Sequence, residues 1–340
     1  MGAIFEPHQS DAVARVAAYR RRDLKLAVVC ARASEHDRVR ASVSAPFSSA
    51  AVCDLGILER LPLELLSSVC LYLDVQSCLV FRQSSRRARQ VVSSLYQYRA
   101  LTKHGLESLR AVLRTGSARY LTIPDLYRLL CTHDCAICRS AFGGFLFLPT
   151  ASRCCFTCIE ESSHLGIVSL SALGRASGIP RAKLRRLVPV LRTLPGTYTT
   201  LQKAYLRRIE VVSRQQAVDG LHASGLSLEQ ATAALAAIAD NYVWRLMMST
   251  TLPLLNPATG QVQHGVSCKG CQIALEDAPG SRFPNLYERR DRLYSRRGYL
   301  DHFPLCPEAV ELWRASKEGT VAVWEPEFTR NNGRMGSPDK

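Results

Sequence analysis

The chain has 340 residues, of which 47% are hydrophobic, and its formal net charge at pH 7 is +15. This length is enough for one to three domains with a sizeable core, while no apolar run is long enough for a membrane-spanning helix. The N-terminus also lacks the charged-then-apolar order of a secretory signal, so we expect a cytoplasmic or nuclear protein.

The first 54 residues are rich in Ala, Arg and Ser, a composition close to that of a mitochondrial transit peptide. Acidic residues within this stretch, such as Glu6 and Asp11, argue against a transit peptide. We therefore predict a disordered or weakly helical N-terminal tail over residues 1–54, with a short helix around residues 11–29.

The segment Leu58–Leu101 has the apolar spacing of three short helices. Pro62 suits the first turn of a helix, because its fixed φ is helical and its missing N–H is not needed there. Asp74 is a candidate stop for this helix and N-cap for the next, and a third helix is expected to start near Ser85. A bundle of this size is too small to be stable unless it docks on something else.

The residues of this segment follow an order that goes beyond helical spacing. Leu61-Pro62-x-Glu64-Leu65-Leu66 is followed by Val69, Leu73-Asp74, Leu79, Phe81-Arg82 and Ser85-Arg86. This order resembles the F-box, and the resemblance implies docking on the Skp adaptor of a Skp–cullin–F-box ubiquitin ligase. The adaptor-binding positions that it implies are Leu61, Pro62, Leu65, Val69 and Leu79.

Two positions depart from the usual F-box pattern. Ser84 stands where the family usually has Val, and Ala88 stands where it usually has Trp. Ser84 would need a hydrogen-bond partner if it were buried. Since Ala88 removes a large packing group, we expect the bundle to be loosely packed or to lean on residues downstream of it.

The chain has thirteen cysteines, and without a secretory signal disulfides are not their expected use. Four of them stand alone and are predicted to be buried or tail thiols: Cys30, Cys53, Cys70 and Cys78. The other nine lie in two groups, each of which contains metal-ligand spacing.

In the first group, Cys135-x-x-Cys138 is followed after 16 residues by Cys155-x-x-Cys158. Two such pairs are typical of a structural zinc site, because each pair presents two thiolates to one ion. Gly143-Gly144 and the apolar run after them predict a turn and a short strand between the pairs, as in zinc ribbons and treble clefs. The candidates that could replace one of these four ligands are Cys131, His133 and Cys154.

The second group combines Cys268-x-x-Cys271 with His302-x-x-x-Cys306, and 30 residues separate the two pairs. The spacing of His302 and Cys306 places an imidazole and a thiolate one helical turn apart. Alternatively, Cys268 and Cys271 complete a site with spare thiols of the first group, or His264 competes as a ligand. Four-ligand spheres rich in cysteine leave no open position for water, so we expect one or two structural Zn2+ ions.

An F-box followed by these two regions resembles a group of filamentous-fungal F-box proteins. The resemblance covers residues 57–160 well and residues 262–314 more weakly. It implies a zinc-stabilised region behind the F-box, and it implies no particular substrate.

The remaining stretches predict no chemistry of their own. The middle of the chain has mostly helical spacing, with Ser227 as a candidate N-cap, and the polar C-terminus predicts disorder. There is no leucine-rich, WD or kelch repeat, no phosphate-binding loop and no catalytic constellation. We therefore expect a protein without catalytic activity.

These observations predict a mainly α fold with small β elements, in which a three-helix F-box is followed by a zinc-stabilised α+β region. The predicted domains are the tail over residues 1–54, the F-box over 55–102, a linker and first cysteine-rich region over 103–162, a helical middle region over 163–260, a second Cys/His region over 261–316 and a disordered tail over 317–340. The leading hypothesis is a substrate receptor that brings an unknown protein target to the ligase. The alternative is a zinc-dependent nucleic-acid-binding or scaffold protein that uses the net positive charge.

Overall fold

The computed structural model describes residues 5–45, 55–278 and 284–333. The predicted fold class, mainly α with small β elements, is confirmed. Cys53, residues 1–4 and 46–54 of the predicted N-terminal tail, and residues 334–340 of the predicted C-terminal tail lie outside the described residues. Among the described residues, no helix is long and apolar enough to cross a membrane.

The α-helices, in chain order, are α1 (Ser10–Ala17), α2 (Arg22–Leu26), α3 (Ala33–Ser44), α4 (Leu63–Tyr72), α5 (Val75–Ser84), α6 (Arg86–Ser94), α7 (Tyr96–His104), α8 (Leu106–Thr115), α9 (Ile123–Cys131), α10 (Phe156–Glu161), α11 (Leu170–Ser177), α12 (Arg181–Leu187), α13 (Arg214–Ala223), α14 (Leu228–Ala236), α15 (Tyr242–Met247), α16 (Lys269–Glu276), α17 (Pro284–Asp291), α18 (Arg296–His302), α19 (Pro307–Ala315) and α20 (Glu327–Arg330). Short 3-10 turns cover Pro7–Gln9, Gly56–Arg60, Ser117–Arg119, Ser163–Leu165 and Phe303–Leu305.

The β-strands are short and form small antiparallel sheets. They are β1 (Ala18–Tyr19), β2 (Phe145–Phe147), β3 (Ser152–Cys154), β4 (Ile167–Ser169), β5 (Leu191–Arg192), β6 (Gly196–Tyr198), β7 (Lys203–Tyr205), β8 (Glu210–Ser213), β9 (Ser249–Thr251), β10 (Leu254–Leu255), β11 (Val262–Gln263) and β12 (Ser267–Cys268). The two three-stranded sheets have the orders β3-β2-β9 and β4-β8-β5, and the remaining strands pair as β1-β12, β6-β7 and β10-β11. The middle of the chain, predicted as helical, therefore also holds strands, because β-branched runs such as Val211-Val212 favour them.

Helices α4, α5 and α6 occupy the segment predicted to resemble an F-box, and their caps are the predicted ones. The Asp74 carboxylate accepts a hydrogen bond from the backbone N–H of Ser77 at 2.9 Å. The Ser85 hydroxyl accepts one from the backbone N–H of Ala88 at 3.0 Å. Helix α4 begins directly after Pro62, whose φ is −53°. The predicted starts of the three helices are thus confirmed to within one residue, with Pro62 as the N-cap of α4 rather than in its first turn.

The two unusual positions of this bundle have different surroundings. Ser84 is exposed, and its hydroxyl donates to the carbonyl of Phe81 at 2.8 Å, so it buries no unpaired polar group. Ala88 is fully buried. The bundle leans on other parts of the chain, as its small size predicts: Leu66 and Cys70 of α4 belong to a hydrophobic core that continues into Phe145 of β2 and the first cysteine group.

Part of that support comes from the N-terminal segment, which lies upstream of the bundle. Arg82 of α5 is buried, and it donates to the carbonyls of Ser42 and Ala45 at the end of α3, at 2.9 Å each. The Tyr98 hydroxyl donates to the carbonyl of Val43 at 2.6 Å. These donors satisfy carbonyls that have no partner within α3. Residues 33–45 are therefore held against the bundle, unlike the disordered or weakly helical tail that composition predicts.

Replacing Arg82 with methionine is expected to lower the free energy of unfolding by about 2–4 kcal/mol, because the end of α3 loses two buried donors. The measurement is chemical denaturation of the full chain. Arg99→Met is the matched control, since Arg99 is exposed, and its cost should stay below about 0.5 kcal/mol. Equal losses in the two variants would contradict the capping role of Arg82.

The two ends of the described chain pack together on the second Cys/His region. Strand β1 pairs with β12, with Ala18 opposite Cys268. Arg21 bonds Asp23 and also Asp291 of α17, the latter at 2.8 Å. Its guanidinium lies 5.1 Å from the ring centre of Phe328 in α20. The composition of the two ends does not predict this packing, because the segments are mostly polar. A few buried side chains, such as those of Arg21 and Phe328, order them.

Within the described ranges, the buried hydrophobic residues form three clusters. The largest joins the α4–α6 bundle to the first cysteine group. The second joins α1 to α18, α19 and the second Cys/His group, and the third lies within the middle of the chain, between α11 and α14. The predicted F-box and first cysteine-rich region thus share one core, while their boundaries as separate domains stay a prediction.

Candidate functional site

The first cysteine group is assembled by a turn, a hairpin and a helix. Cys135 and Cys138 lie in the turn that follows α9, and the backbone N–H of Cys135 donates to the carbonyl of Ala141 to close that turn. Strands β2 and β3 then form a hairpin with Phe145 opposite Cys154. Cys155 is the N-cap of α10, so the fourth cysteine lies in its first turn. The predicted strand is present as β2, but the predicted turn at Gly143-Gly144 is not, because these two glycines lie in an irregular segment before β2 and the turn falls at residues 148–151, between β2 and β3.

The four sulfurs of this group converge as a metal site requires. The sulfurs of Cys135, Cys138, Cys155 and Cys158 all lie within 4.8 Å of one another. The sulfurs of Cys138 and Cys155 are 3.9 Å apart. Four thiolates bound tetrahedrally to Zn2+ at about 2.3 Å would be separated by roughly 3.8 Å. The separation of the Cys138 and Cys155 sulfurs is therefore close to that of two zinc-bound thiolates.

Backbone amides are arranged to favour thiolates in this group. The N–H of Ile137 donates to the sulfur of Cys135, and the N–H of Cys158 donates to that of Cys155, both at 3.4 Å. Hydrogen bonds from the Cys154 and Cys155 thiols lower the pKa of Cys135 far below its usual range. A cation among the four sulfurs would take the place of the proton that Cys155 shares with Cys135.

The other candidates of the first region lie outside the four-sulfur group. The Cys154 thiol donates to the carbonyl of Ser152 at 3.5 Å. Cys131 lies one turn after Tyr127 on α9, and burial raises the pKa of its thiol. The His133 ring bonds the Asp134 carboxylate at 2.6 Å. Geometry thus selects the two Cys-x-x-Cys pairs.

A buried arginine ties this group to the rest of the core. Arg153 of β3 donates to the carbonyl of Leu129 at the end of α9, at 2.7 Å. It also donates to the carbonyls of Leu252 and Pro253, at 3.1 and 3.0 Å. A Cβ at Gly143 would lie 2.7 Å from the Arg153 side chain, so the close approach of this segment to Arg153 needs glycine. The role of this arginine could not be recognised from the sequence, because its partners are distant along the chain.

The second group has three cysteines and one histidine. Cys268, Cys271, His302 and Cys306 place one ligand atom each within 4.8 Å of the others. The sulfurs of Cys268 and Cys306 are 3.7 Å apart. Nε2 of His302 is 3.4 Å from the sulfur of Cys271, against roughly 3.6 Å for a nitrogen and a sulfur on one tetrahedral Zn2+. His264 lies outside this group, and no thiol of the first group joins it.

Helix ends and one aromatic ring position the second set. Cys268 is the N-cap of α16, His302 is the last residue of α18, and Cys306 is the N-cap of α19. The Tyr294 ring stacks on the imidazole of His302, with centroids 4.6 Å apart and planes 17° apart. Hydrogen bonds from Cys268 and Cys306 lower the pKa of Cys271 to about 4. Cys271, which lies beside the His302 imidazole, is therefore the cysteine of this group whose ionisation its neighbours favour.

Both groups fit zinc better than a harder metal, because thiolate and imidazole ligands suit soft or borderline ions. All twelve cysteines in the described part of the chain are free, so no disulfide competes for these sulfurs. The two clusters could therefore each hold a metal ion. That these eight residues coordinate zinc stays a prediction.

The predicted adaptor-binding residues fall into three environments. Leu65 and Val69 of α4 are 53% and 48% exposed, and Pro62 is also exposed. Leu61 is half-buried against the large core. Leu79 is only 9% exposed, so its side chain packs inside rather than facing a partner.

Other large apolar side chains in and just before α4 are also exposed, and the sequence pattern did not identify them. Tyr72 lies seven residues after Leu65 on α4 and is 87% exposed. Leu58, Ile57 and Leu63, at or just before the start of α4, are exposed as well. Residues i, i+4 and i+7 lie on one side of a helix, so Leu65, Val69 and Tyr72 form an apolar stripe. We call this stripe the α4 face.

Residues 58–100 match the family model of the F-box domain. The chain contains an F-box domain. The match covers α4, α5, α6 and the first half of α7, which is the segment whose residue order resembles the F-box. No curated protein and no solved structure matches the chain. The F-box match does not test the resemblance to filamentous-fungal proteins, which stays a prediction.

Proposed function

We propose that this protein is a non-catalytic substrate receptor of a Skp–cullin–F-box ubiquitin ligase. The observation that carries the proposal is an apolar helix face left open to solvent within an F-box domain. The F-box would dock the Skp adaptor, the remainder of the chain would hold a protein target, and the ligase would transfer ubiquitin to that target.

The α4 face has the character of a docking surface. Large apolar side chains that cluster on a surface mark interaction sites more often than isolated ones do. Leu65, Val69 and Tyr72 supply three such side chains at helical spacing. Of the predicted contact residues, Leu65 and Val69 are the best supported, whereas Leu79 would act through packing of α5.

Zinc at the two cysteine groups would be structural in this function. Four protein ligands fill a tetrahedral shell, so no position remains for a water or a substrate. The core shared by the F-box and the first cysteine group would make the receptor rigid at the point where it meets the adaptor. A rigid receptor fixes the position of its target relative to the ligase, which is what catalysis by proximity needs.

Leu65→Asp combined with Val69→Asp is expected to weaken adaptor binding at least tenfold, because two anchors of the α4 face become charged. Binding of the zinc-loaded full chain to purified Skp adaptor is measured by calorimetry. Leu201→Asp with Leu206→Asp is the matched control, since both leucines are highly exposed outside the F-box. The control should bind as the native chain does.

Two outcomes would count against the proposal: equal binding by the two double variants, or no binding by the native chain. Co-purification of a cullin with the native chain distinguishes a ligase subunit from a scaffold that binds the adaptor alone. A steep salt dependence of DNA or RNA affinity, with no adaptor binding, would favour a nucleic-acid-binding protein instead.

A further inference from the structure

A groove of about 750 Å³ lies beside the F-box, between parts of the chain that are distant in sequence. One wall is α5, from Gln76 to Gln83, and another is the end of α8. Strands β5 and β8 and helix α12 complete it. The groove thus lies where the F-box domain meets the middle of the chain.

Positive charge dominates this groove. Five exposed arginines line it: Arg114, Arg119, Arg185, Arg192 and Arg208. The same lining contains one carboxylate, Glu210. Like charges gathered around one cavity repel each other, so an arrangement of this kind is stabilised by an anion.

The carboxylate is already paired, and it leaves several guanidinium groups available. Arg185 holds Glu210 with two hydrogen bonds, at 2.8 and 3.3 Å, and lowers the pKa of its carboxyl group. Arg192 lies opposite Glu210 on the neighbouring strand, with nitrogen and oxygen 3.7 Å apart. Among the described residues, Arg114 and Arg208 have no hydrogen bond or ion pair, although Arg114 adds to the effect of Arg110 in lowering the pKa of the Glu35 carboxyl group, and Arg119 has one bond, to Gln76.

We propose that this groove binds a phosphorylated segment of the protein target, an inference that rests on the proposed function. Guanidinium groups match phosphate oxygens with paired hydrogen bonds, which makes arginine clusters typical sites for phosphorylated peptides. A phosphate carries close to two negative charges at neutral pH, so one or two phosphates would balance the unpaired arginines.

The rest of the lining favours a peptide over a nucleic acid. Val80, Leu113 and Val190 give the groove apolar patches between the arginines, which suit side chains that flank a phosphorylated residue. Tyr120 is the single aromatic residue of the lining, whereas proteins that bind single strands stack successive bases on several rings.

The test uses the zinc-loaded full chain and three fluorescent probes of similar length. The first is a degenerate peptide mixture with two fixed phosphoserines, the second is the same mixture with unmodified serines, and the third is a single-stranded RNA. Binding is followed by fluorescence anisotropy. We expect the phosphorylated mixture to bind at least tenfold more tightly than the unmodified one.

Arg114→Glu with Arg208→Glu is the groove variant, because neither side chain makes a hydrogen bond or an ion pair among the described residues. Arg186→Glu with Arg207→Glu is the matched control, since both are exposed, lie next to groove arginines and do not line the cavity. The groove variant should bind the phosphorylated mixture at least tenfold more weakly than the control, which carries the same change in net charge.

Three results would overturn the inference. The first is that the two peptide mixtures bind equally, or that neither binds with a dissociation constant below about 1 mM. The second is that the groove variant and the control variant lose the same affinity. The third is that the RNA binds more tightly than the phosphorylated mixture and displaces it. Skp adaptor binding is measured on the same preparations. If the native chain binds the adaptor but not the phosphorylated mixture, the inference about the groove is wrong and the proposed function stands. If it binds the phosphorylated mixture but not the adaptor, the proposed function is wrong.

Discussion

Cys155→Ser is expected to reduce the zinc content from two ions to one and to lower the free energy of unfolding by at least about 4 kcal/mol. A structural zinc site of this type contributes roughly 10–16 kcal/mol of metal binding to folding. The loss should extend to the F-box domain, because Cys155 and the α4 residues Leu66 and Cys70 belong to one hydrophobic core. Adaptor binding is then expected to fall together with zinc content.

The neighbouring cysteine provides a close control for this experiment. Cys154 is also buried, but its sulfur lies outside the four-sulfur group. Cys154→Ser should keep both ions and cost about 1–2 kcal/mol, as a small change in a packed core does. Zinc is counted by mass spectrometry, and stability is measured by thermal denaturation without a chelator. If the two variants lost the same amount of zinc, the assignment of ligands in this region would be wrong.

Gly270→Ala is expected to cost about 3 kcal/mol or more and to weaken zinc binding at the second group. A Cβ at this position would overlap the backbone nitrogen of Ala309 and lie 2.8 Å from the sulfur of Cys306. A backbone atom cannot move aside as a flexible side chain can, so α16 and α19 would have to separate. Three of the four ligands belong to these two helices: Cys271 lies in α16, Cys268 is its N-cap, and Cys306 is the N-cap of α19. Separating the helices would therefore open the site.

Gly298→Ala is the matched control for this second prediction. Gly298 lies within α18, and a Cβ there would meet the Ser295 hydroxyl alone, at 3.3 Å. Replacing a helical glycine by alanine usually stabilises a helix by about 0.5–1 kcal/mol. The control should therefore be neutral or slightly more stable, with unchanged zinc content. A similar loss in both variants would indicate a general sensitivity of this region rather than the contact at Gly270.

The features that could be predicted from the sequence are those encoded by neighbouring residues. A Cys-x-x-Cys pair brings its own two sulfurs together within one turn, so the ligand groups needed only the pairing of two local motifs. The caps at Asp74 and Ser85 are local in the same way. The order of the F-box residues combines several such local features, and it marked the segment that the family model matches.

The features that could not be predicted depend on contacts between distant parts of the chain. The groove arginines come from four separate segments, and along the sequence they are indistinguishable from solvent-exposed arginines such as Arg207. Order in the polar ends of the chain depends on Arg21 meeting Asp291 and Phe328, some 270 and 300 positions away. The exposure of Leu65 and the burial of Leu79 likewise follow from how α4 and α5 turn against the core.

The meeting of β1 with β12 also has a consequence for synthesis on the ribosome. Residues 10–19 leave the ribosome long before their partners in α18 and α19, nearly 300 residues later, have been translated. At ordinary translation speeds the wait is on the order of tens of seconds. During that time Val13 and Ala17 would be uncovered, a state that invites chaperone binding. A premature stop before His302 would leave these residues exposed permanently and mark the truncated product for degradation.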